Sequence, residues 1–594
     1  MPSNEFASFP DVIYDKLPPP DKHPMYHYNG FEPGKSIIKK GHVKSPGYAA
    51  FPVDVIFDRD VAITVRDGVK LYADIFRPVG SDTEKVPVII PWSPYGKTGT
   101  GPQNYESMAP FHAGFPKSMV SGYHKFEAPD PAEWCKRGYA ILNIDARGAG
   151  HSEGNISQWG LQEAEDIYDV ITWLTEQSWC SGSVAMAGNS WLSIAQLSFA
   201  SRLSHPALKA LAPWEGLIDP YRELAARGGR PHIKSFMKMI ATGAENVAAM
   251  LEKRPLYDEY WEMKRIPVEN IDNIPLYLLA SYSSMLHTHG SFHTWQVAKT
   301  KQKWLRVHPY QEWYDLYRPE ITDELQRYFD HYCKGIQNGW EDSTPPVRLS
   351  LVGFEGSPAK TVTERVEKEY PLKRRTAKDY YLDAGSKTMS TSPISTESKD
   401  EYEAHSLDAS LDFKVHFDEA TELSGYPKVK LYVSCAEHDD MDICVQIRKI
   451  STDGIPMKHL NYPCPVPVEE VPELNVAQYW GPQGFLRASH AVSRAESPFP
   501  GIDPNDIFYT HRVQEKIEPG KVVCVEIPIW PIGMVFAKGE GVMLRVSGHD
   551  MCPPETDLCR LKEPEDENVG KHVVYTGGKY ESVLTLPVVP LSSG

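Results

Sequence analysis

Short apolar runs closed by Gly, Pro or Asp turns begin near Val53, as in Val61–Val65 and Val86–Ile90, and predict the first strands of a sheet. Tyr139–Asp145 (YAILNID) is a longer apolar run. After a Gly-rich loop, Leu161, Ala164, Ile167, Ile171 and Leu174 recur at helical spacing, so the order is strand, loop, helix. Ser183–Ala187 then reads as a buried strand, Gly188–Ser190 as a sharp turn, and a helix opens at Trp191. That order predicts a parallel sheet covered on both faces. From Trp214 to Ile274 the pattern is helical and charged without a strand candidate, which predicts a cap over the sheet's C-terminal edge. Pro275–Ser281 and Trp304–His308 are strand-like, and Thr322–Lys334 predicts an amphipathic helix ending near Gly335. Beyond about 372, short Val, Ile, Tyr and Leu runs separated by turns predict an all-β sandwich or jelly roll. The expected organisation is an N-terminal arm over 1–50, an α/β domain over 51–355 with a helical cap at about 214–273, and a jelly-roll β domain over 356–594.

A chain of 594 residues has room for two or three domains. Its 62 Lys and Arg against 79 Asp and Glu give a formal charge of -17, the wrong sign for binding nucleic acid or an anionic membrane. The most apolar late stretch, Val522–Phe536, is broken by Glu526, Pro528 and Pro531, so no helical span is expected. The N-terminus lacks the basic-then-apolar order of a secretory signal. Nine cysteines without a C-x-x-C pair fit reduced thiols, and the expectation is a soluble, cytoplasmic protein.

The strongest chemical signal is Gly188-Asn189-Ser190-Trp191, a G-x-S turn between a buried strand and a helix. In that setting a serine on a strained turn projects its hydroxyl above the sheet, and the amide of the next residue, Trp191, faces a developing oxyanion. The turn's second glycine is missing, with Ser193 standing after Leu192. Pro94-Tyr95-Gly96-Lys97 follows the strand Val86–Ile90, and the Tyr95 hydroxyl there is a candidate second oxyanion donor. Asp145–Gly154 is Gly-rich but lacks the Lys-Ser/Thr ending of a phosphate cradle, so it reads as a structural loop. His287, His289 and His293 suggest a metal by spacing, but no matching carboxylate arrangement accompanies them, and neither metal nor cofactor is expected.

These strings, in this order, resemble the α/β-hydrolases that include cocaine esterase, X-Pro dipeptidyl-peptidase, α-amino-acid ester hydrolase and glutaryl-cephalosporin acylase. The resemblance runs from Asp67-Gly68-Val69-Lys70-Leu71 through Gln177-x-Trp179-Cys180-x-Gly182 and the serine turn. It continues through Thr421–Gly425, Asp439–Asp442, Gly484–Ser489 and Val535-Phe536-x-x-Gly539. It implies an α/β-hydrolase core, a helical cap and a C-terminal jelly roll, with Ser190 attacking an ester or amide carbonyl and Tyr95 sharing the oxyanion hole with the Trp191 amide.

The family's remaining two catalytic residues are replaced. Its Asp closes a G-W-x-D string after a buried strand, where this chain has Ser281-Tyr282-Ser283-Ser284, so Ser284 stands at the acid position. Its His closes a G-P-W-x-H string, where this chain has His308-Pro309-Tyr310-Gln311-Glu312, so Glu312 stands at the histidine position. A serine hydroxyl needs a general base. The first reading is therefore an acyl hydrolase of a small organic substrate with a rewired triad, its base being Glu312, His308 or His287. The second is a lyase, isomerase or cyclase in secondary metabolism, with Glu312 as base and Ser190 only binding substrate. The third is a catalytically silent binding scaffold. A small molecule is the expected partner, and self-association to a homo-oligomer stays open.

Overall fold

The computed structural model describes residues 9–16, 19–22, 28–232 and 245–590. Runs such as Val86–Ile90 and Ala140–Asp145 are buried at every position, as strands covered on both faces must be. With their neighbours they build one sheet: β1 (Gly34–Ile38), β2 (Val55–Thr64), β3 (Lys70–Pro78), β4 (Val86–Ile90), β5 (Ala140–Asp145), β6 (Cys180–Asn189), β7 (Leu208–Trp214), β8 (Leu276–Ala280), β9 (Lys303–Val307), β10 (Val347–Leu351) and β11 (Val362–Glu367). Their spatial order is β1-β2-β3-β5-β4-β6-β7-β8-β9-β10-β11. Pairing is parallel from β5 through β10 and antiparallel at both edges. The C-terminal ends of β4, β6, β7, β8 and β9 consequently leave the sheet along one edge, where open α/β sheets place their sites.

The helix Leu161–Thr175 turns Ala164, Ile167, Val170, Ile171 and Leu174 onto the sheet, which is the face its spacing predicts. The predicted amphipathic helix spans Pro319–Lys334, opened by a proline in its first turn and closed by left-handed Gly335. β1 lies within the expected arm and adds an edge strand to the sheet. Farther upstream, Asp11 pairs with Lys253 at 2.7 Å and Arg254 at 3.0 Å, tying the arm to the cap. The cap is a set of short helices, including Val247–Lys253 and Glu259–Lys264, with no strand among its described residues. Its Tyr260 and Trp261 are buried packing residues, whereas Phe236 and Met237 lie outside the described residues.

From Thr376 the chain forms an all-β domain, a thirteen-stranded sheet among the described residues and nearly all antiparallel. The expected boundary at 355 falls too early, because β11 continues the first sheet to Glu367. Its sequence, VTERVE, mixes charged and apolar residues as an exposed edge strand does, which hides it from an apolar-run search. The cap and the β domain interlock: Arg222 donates to the carbonyl of Tyr509 at 2.9 Å, and buried Arg230 to that of Glu565 at 2.8 Å. Among the described residues no helix is long and apolar enough to cross a membrane.

Candidate active site at the C-terminal edge of the sheet

β4 and β6 are neighbours, with Ile90 opposite Met186, so the loops that leave them carry Tyr95 and Ser190 to the same place. Ser190 sits between β6 and the helix Trp191–Arg202 with φ 57° and ψ -122°, a conformation held at a cost and concentrated at functional sites. Gly188 must be glycine, because a Cβ there would lie 2.4 Å from the Leu192 side chain and 2.8 Å from the Glu127 carbonyl oxygen. Among the other buried non-glycine residues in the left-handed region are Glu127 at φ 65° and Glu215 at φ 46°. Both grip the turn through the backbone. The Asn189 amide donates to the Glu127 carbonyl at 3.3 Å, and the Ser190 amide to the Glu215 carbonyl at 3.0 Å.

The Tyr95 hydroxyl lies near enough to the Ser190 side chain to be influenced by it, and burial with nearby Glu127 drives its pKa well above the usual phenol value. It therefore stays protonated and can donate. Trp191 is the first residue of its helix, so its amide is among those without an acceptor inside the helix. Its indole and that of Trp92, at the root of the Tyr95 loop, both donate to one oxygen of Glu163, at 2.9 and 3.1 Å. Burial lifts the Glu163 pKa to about 7.

Glu312 opens the short helix Glu312–Leu316 after β9 and is 5 % exposed; burial raises its pKa to about 7. Three further glutamates feel its charge. Glu127, Glu215 and Glu555 all have raised pKa values, from burial first and then repulsion by Glu312, with Glu555 at about 8. Glu127 also lies within electrostatic reach of Tyr95, and it links the serine turn to the Glu312 helix, its carbonyl accepting the Asn189 amide at 3.3 Å and its carboxylate the Trp313 indole at 3.0 Å. Buried Arg227 supplies the opposing charge next to Glu555.

His287 stands 3.7 Å from a Glu312 oxygen and 3.1 Å from the Ser284 hydroxyl, and burial with the nearby Arg227 charge lowers its pKa to about 3. Ser284 also accepts the His287 amide at 3.2 Å and thereby shapes the turn into the helix Thr288–Val297. His308 is displaced from the positions of the others. It is fully buried, with Nε2 3.0 Å from Glu215 and 3.7 Å from Asp315, so it supports the side chain of Glu215 from beneath. Glu215, His287 and Glu312 offer ligand atoms within 4.8 Å of one another, a set that could hold a metal ion. The Asp145–Gly154 loop is structural: Arg147 bridges Asp67 at 2.9 Å and Asp166 at 2.6 Å.

Glu127, Glu163, Glu215 and Glu555 are absent from the sequence reading. Glu215 alone carried a local signal, as the residue directly after the apolar run Ala210–Trp214.

The family profile of X-Pro dipeptidyl-peptidase (S15 family) matches residues 67–309, and that of the X-Pro dipeptidyl-peptidase C-terminal non-catalytic domain matches 338–585. A crystal structure of a CocE/NonD family hydrolase from Staphylococcus aureus superposes with a TM-score of 0.82 at 31% identity, covering 96% of this chain and 99% of that one. A cocaine esterase from a Rhodococcus species is 31% identical over 163 residues, 27% of this chain and 24% of its own length. A protein of Mycobacterium bovis named as a serine esterase is 30% identical over 175 residues, 28% of this chain and 26% of its own length. These matches span about a quarter of the curated relatives. Two domain profiles in the family's order and a superposition along nearly the whole chain place this protein in the CocE/NonD hydrolase family, which couples an S15-type α/β-hydrolase domain to a C-terminal β domain.

Proposed function

We propose that the protein is a serine-dependent acyl hydrolase acting on an ester or amide of a small organic substrate, with Glu312 in place of the usual histidine base. The observation that carries this reading is the approach of the Tyr95 hydroxyl to the strained Ser190, on loops from two adjacent parallel strands. In the reaction, the Glu312 carboxylate takes the Ser190 proton as Oγ bonds to the substrate carbonyl carbon. The oxyanion that forms is met by the Tyr95 hydroxyl and the Trp191 amide. Glu312 then returns the proton to the leaving alcohol or amine as its bond to the acyl carbon breaks. Water then attacks the acyl carbon as Glu312 takes its proton, and Glu312 returns that proton to Ser190 Oγ as the Oγ–acyl bond breaks and the acid leaves. A carboxyl with a pKa near 7 suits both halves of this exchange, because it gains and loses a proton at neutral pH. His287, with its pKa pulled down to about 3, is a neutral neighbour that orients Glu312 in this scheme.

The test is intact mass spectrometry after exposure to a fluorophosphonate, run on wild type, Ser190→Ala and Glu312→Gln. One adduct on the wild type, none on Ser190→Ala and a strongly slowed reaction on Glu312→Gln are expected. An unlabelled but folded wild type would refute an activated serine.

A second reading, a proton-transferring lyase, isomerase or cyclase, draws support from the gathering of Glu127, Glu215, Glu312 and Glu555, whose raised pKa values let the site store protons. Under that reading Ser190 only hydrogen-bonds substrate, and Ser190→Ala retains part of the activity.

A further inference from the structure

The sequence spacing of His289 and His293 lacks a partner carboxylate nearby in the chain, but the fold supplies one from the β domain. The two histidines lie four residues apart on one face of the helix Thr288–Val297, their ring centres 5.6 Å apart. His289 Nε2 is 3.1 Å from each carboxylate oxygen of Asp506, and His293 Nδ1 is 4.0 Å from one of them. On its other side, His289 Nδ1 is 2.6 Å from a Glu223 oxygen. The second Glu223 oxygen accepts the amides of Ile218 at 2.7 Å and Asp219 at 3.2 Å, which fixes the carboxylate in place.

We propose that His289, His293 and Asp506 form a binding site for a divalent transition metal, with Zn2+ the first candidate, and that Glu223 orients His289 from behind. Two imidazoles and a carboxylate are a zinc ligand set, and an open fourth position is left for water. The carboxylate behind His289 is the partner that metal-bound histidines usually have, because it directs Nε2 at the ion. The independent observation is His293. Its side chain is 10 % exposed, and neither ring nitrogen has a hydrogen-bond partner. A buried imidazole left this way is costly, and an ion between His289, His293 and Asp506 would satisfy it. The ligand atoms of the three residues already lie within 4.8 Å of one another, so rotations of side chains suffice to close on an ion. A cavity borders the site, and its Arg222 is neutralised by Asp219 at 2.5 Å. The site joins the helix after β8 to the β domain, with its orienting carboxylate from the cap, so the ion would pin three parts of the chain together.

The test uses the full chain without a histidine tag, stripped with chelator and titrated with Zn2+ by calorimetry. Co2+ absorption serves as a second reading of the coordination. One equivalent bound with a dissociation constant below about 1 μM, weakened at least about tenfold by Glu223→Gln and further by His293→Gln or Asp506→Asn, is expected. Glu312→Gln is expected to leave this binding unchanged. No stoichiometric binding by the folded wild type would overturn the proposal. Binding abolished by Glu312→Gln but not by His293→Gln would overturn it equally, by placing the ion at Glu215, His287 and Glu312. Thermal unfolding of each variant without metal, compared with wild type, separates a lost ligand from a lost fold.

Discussion

The Ser190 amide and the Glu215 carbonyl oxygen meet at 3.0 Å, and both residues hold left-handed backbone, at φ 57° and 46°. The turn that presents the serine is thus braced by a second strained residue, and the side chain of that residue reaches toward His308. The Glu215 pKa lies well above the ordinary carboxylate range and that of His308 is lowered to about 4, so the pair meets as neutral acid and neutral imidazole. Glu215→Gln reproduces the protonated acid and should keep activity within about threefold. Glu215→Ala leaves His308 without its partner and should cost about 1–3 kcal/mol of stability. Denaturant unfolding and steady-state kinetics of the two variants check both outcomes.

The pH profile should identify the base. Glu312 is active as the carboxylate and its pKa is raised to about 7, so kcat/KM should rise with pH and reach half its maximum near 7. His287, with a pKa of about 3, would give a flat profile over the same range. Glu312→Gln should reduce kcat by at least about 100-fold. A flat profile between pH 5 and 8 would exclude Glu312 as the base.

Stability should move the opposite way in the same variant. A carboxyl whose pKa is higher folded than unfolded binds its proton more tightly in the folded state. The folded form is therefore penalised progressively as pH rises from 4.5 toward 7, and fully above that. Glu312→Gln removes the penalty, and at pH 8 it should raise Tm by about 2 °C or more while leaving Tm at pH 5 close to wild type. Scanning calorimetry at the two pH values provides the comparison.

Tyr95→Phe keeps the ring against Trp191, 6.1 Å between centres, and removes only the hydroxyl. A loss of one oxyanion donor should lower kcat by about 100-fold or more with little change in KM. An equal loss in binding and turnover would point to a purely structural phenol.

Glu163 tests whether the two oxyanion loops are aligned from beneath. Glu163→Gln retains an oxygen that can accept from Trp92 and Trp191, whereas Glu163→Ala orphans both indoles. The alanine variant should lose kcat about tenfold with KM little changed, and glutamine should rescue it; comparable kinetics in both would assign Glu163 to packing alone.

The elements that position the serine are legible in the sequence because each is local. β4, β5, the helix Leu161–Thr175 and the turn at Ser190 are contiguous strings whose burial and strain follow from their own residues. β7 is less legible, since Lys209 and Pro213 interrupt its apolar run. The glutamate cluster is not legible at all in one dimension: Glu127, Glu215, Glu312 and Glu555 come from four distant segments, and it is burial in the folded chain, with repulsion from Glu312 for the other three, that raises their pKa values. His308 shows the converse. Sequence places it four residues before Glu312, yet it follows β9 directly and ends fully buried against Glu215.

Glu555 belongs to the β domain, yet it feels the charge of Glu312 in the α/β domain. The second domain thus supplies part of the surroundings of Glu312, the proposed base. A chimaera that exchanged β domains between two relatives would therefore inherit a new electrostatic floor beneath an unchanged serine turn. Changes in substrate preference within this lineage can accordingly arise from mutations far along the chain, in a domain that carries none of the reacting atoms.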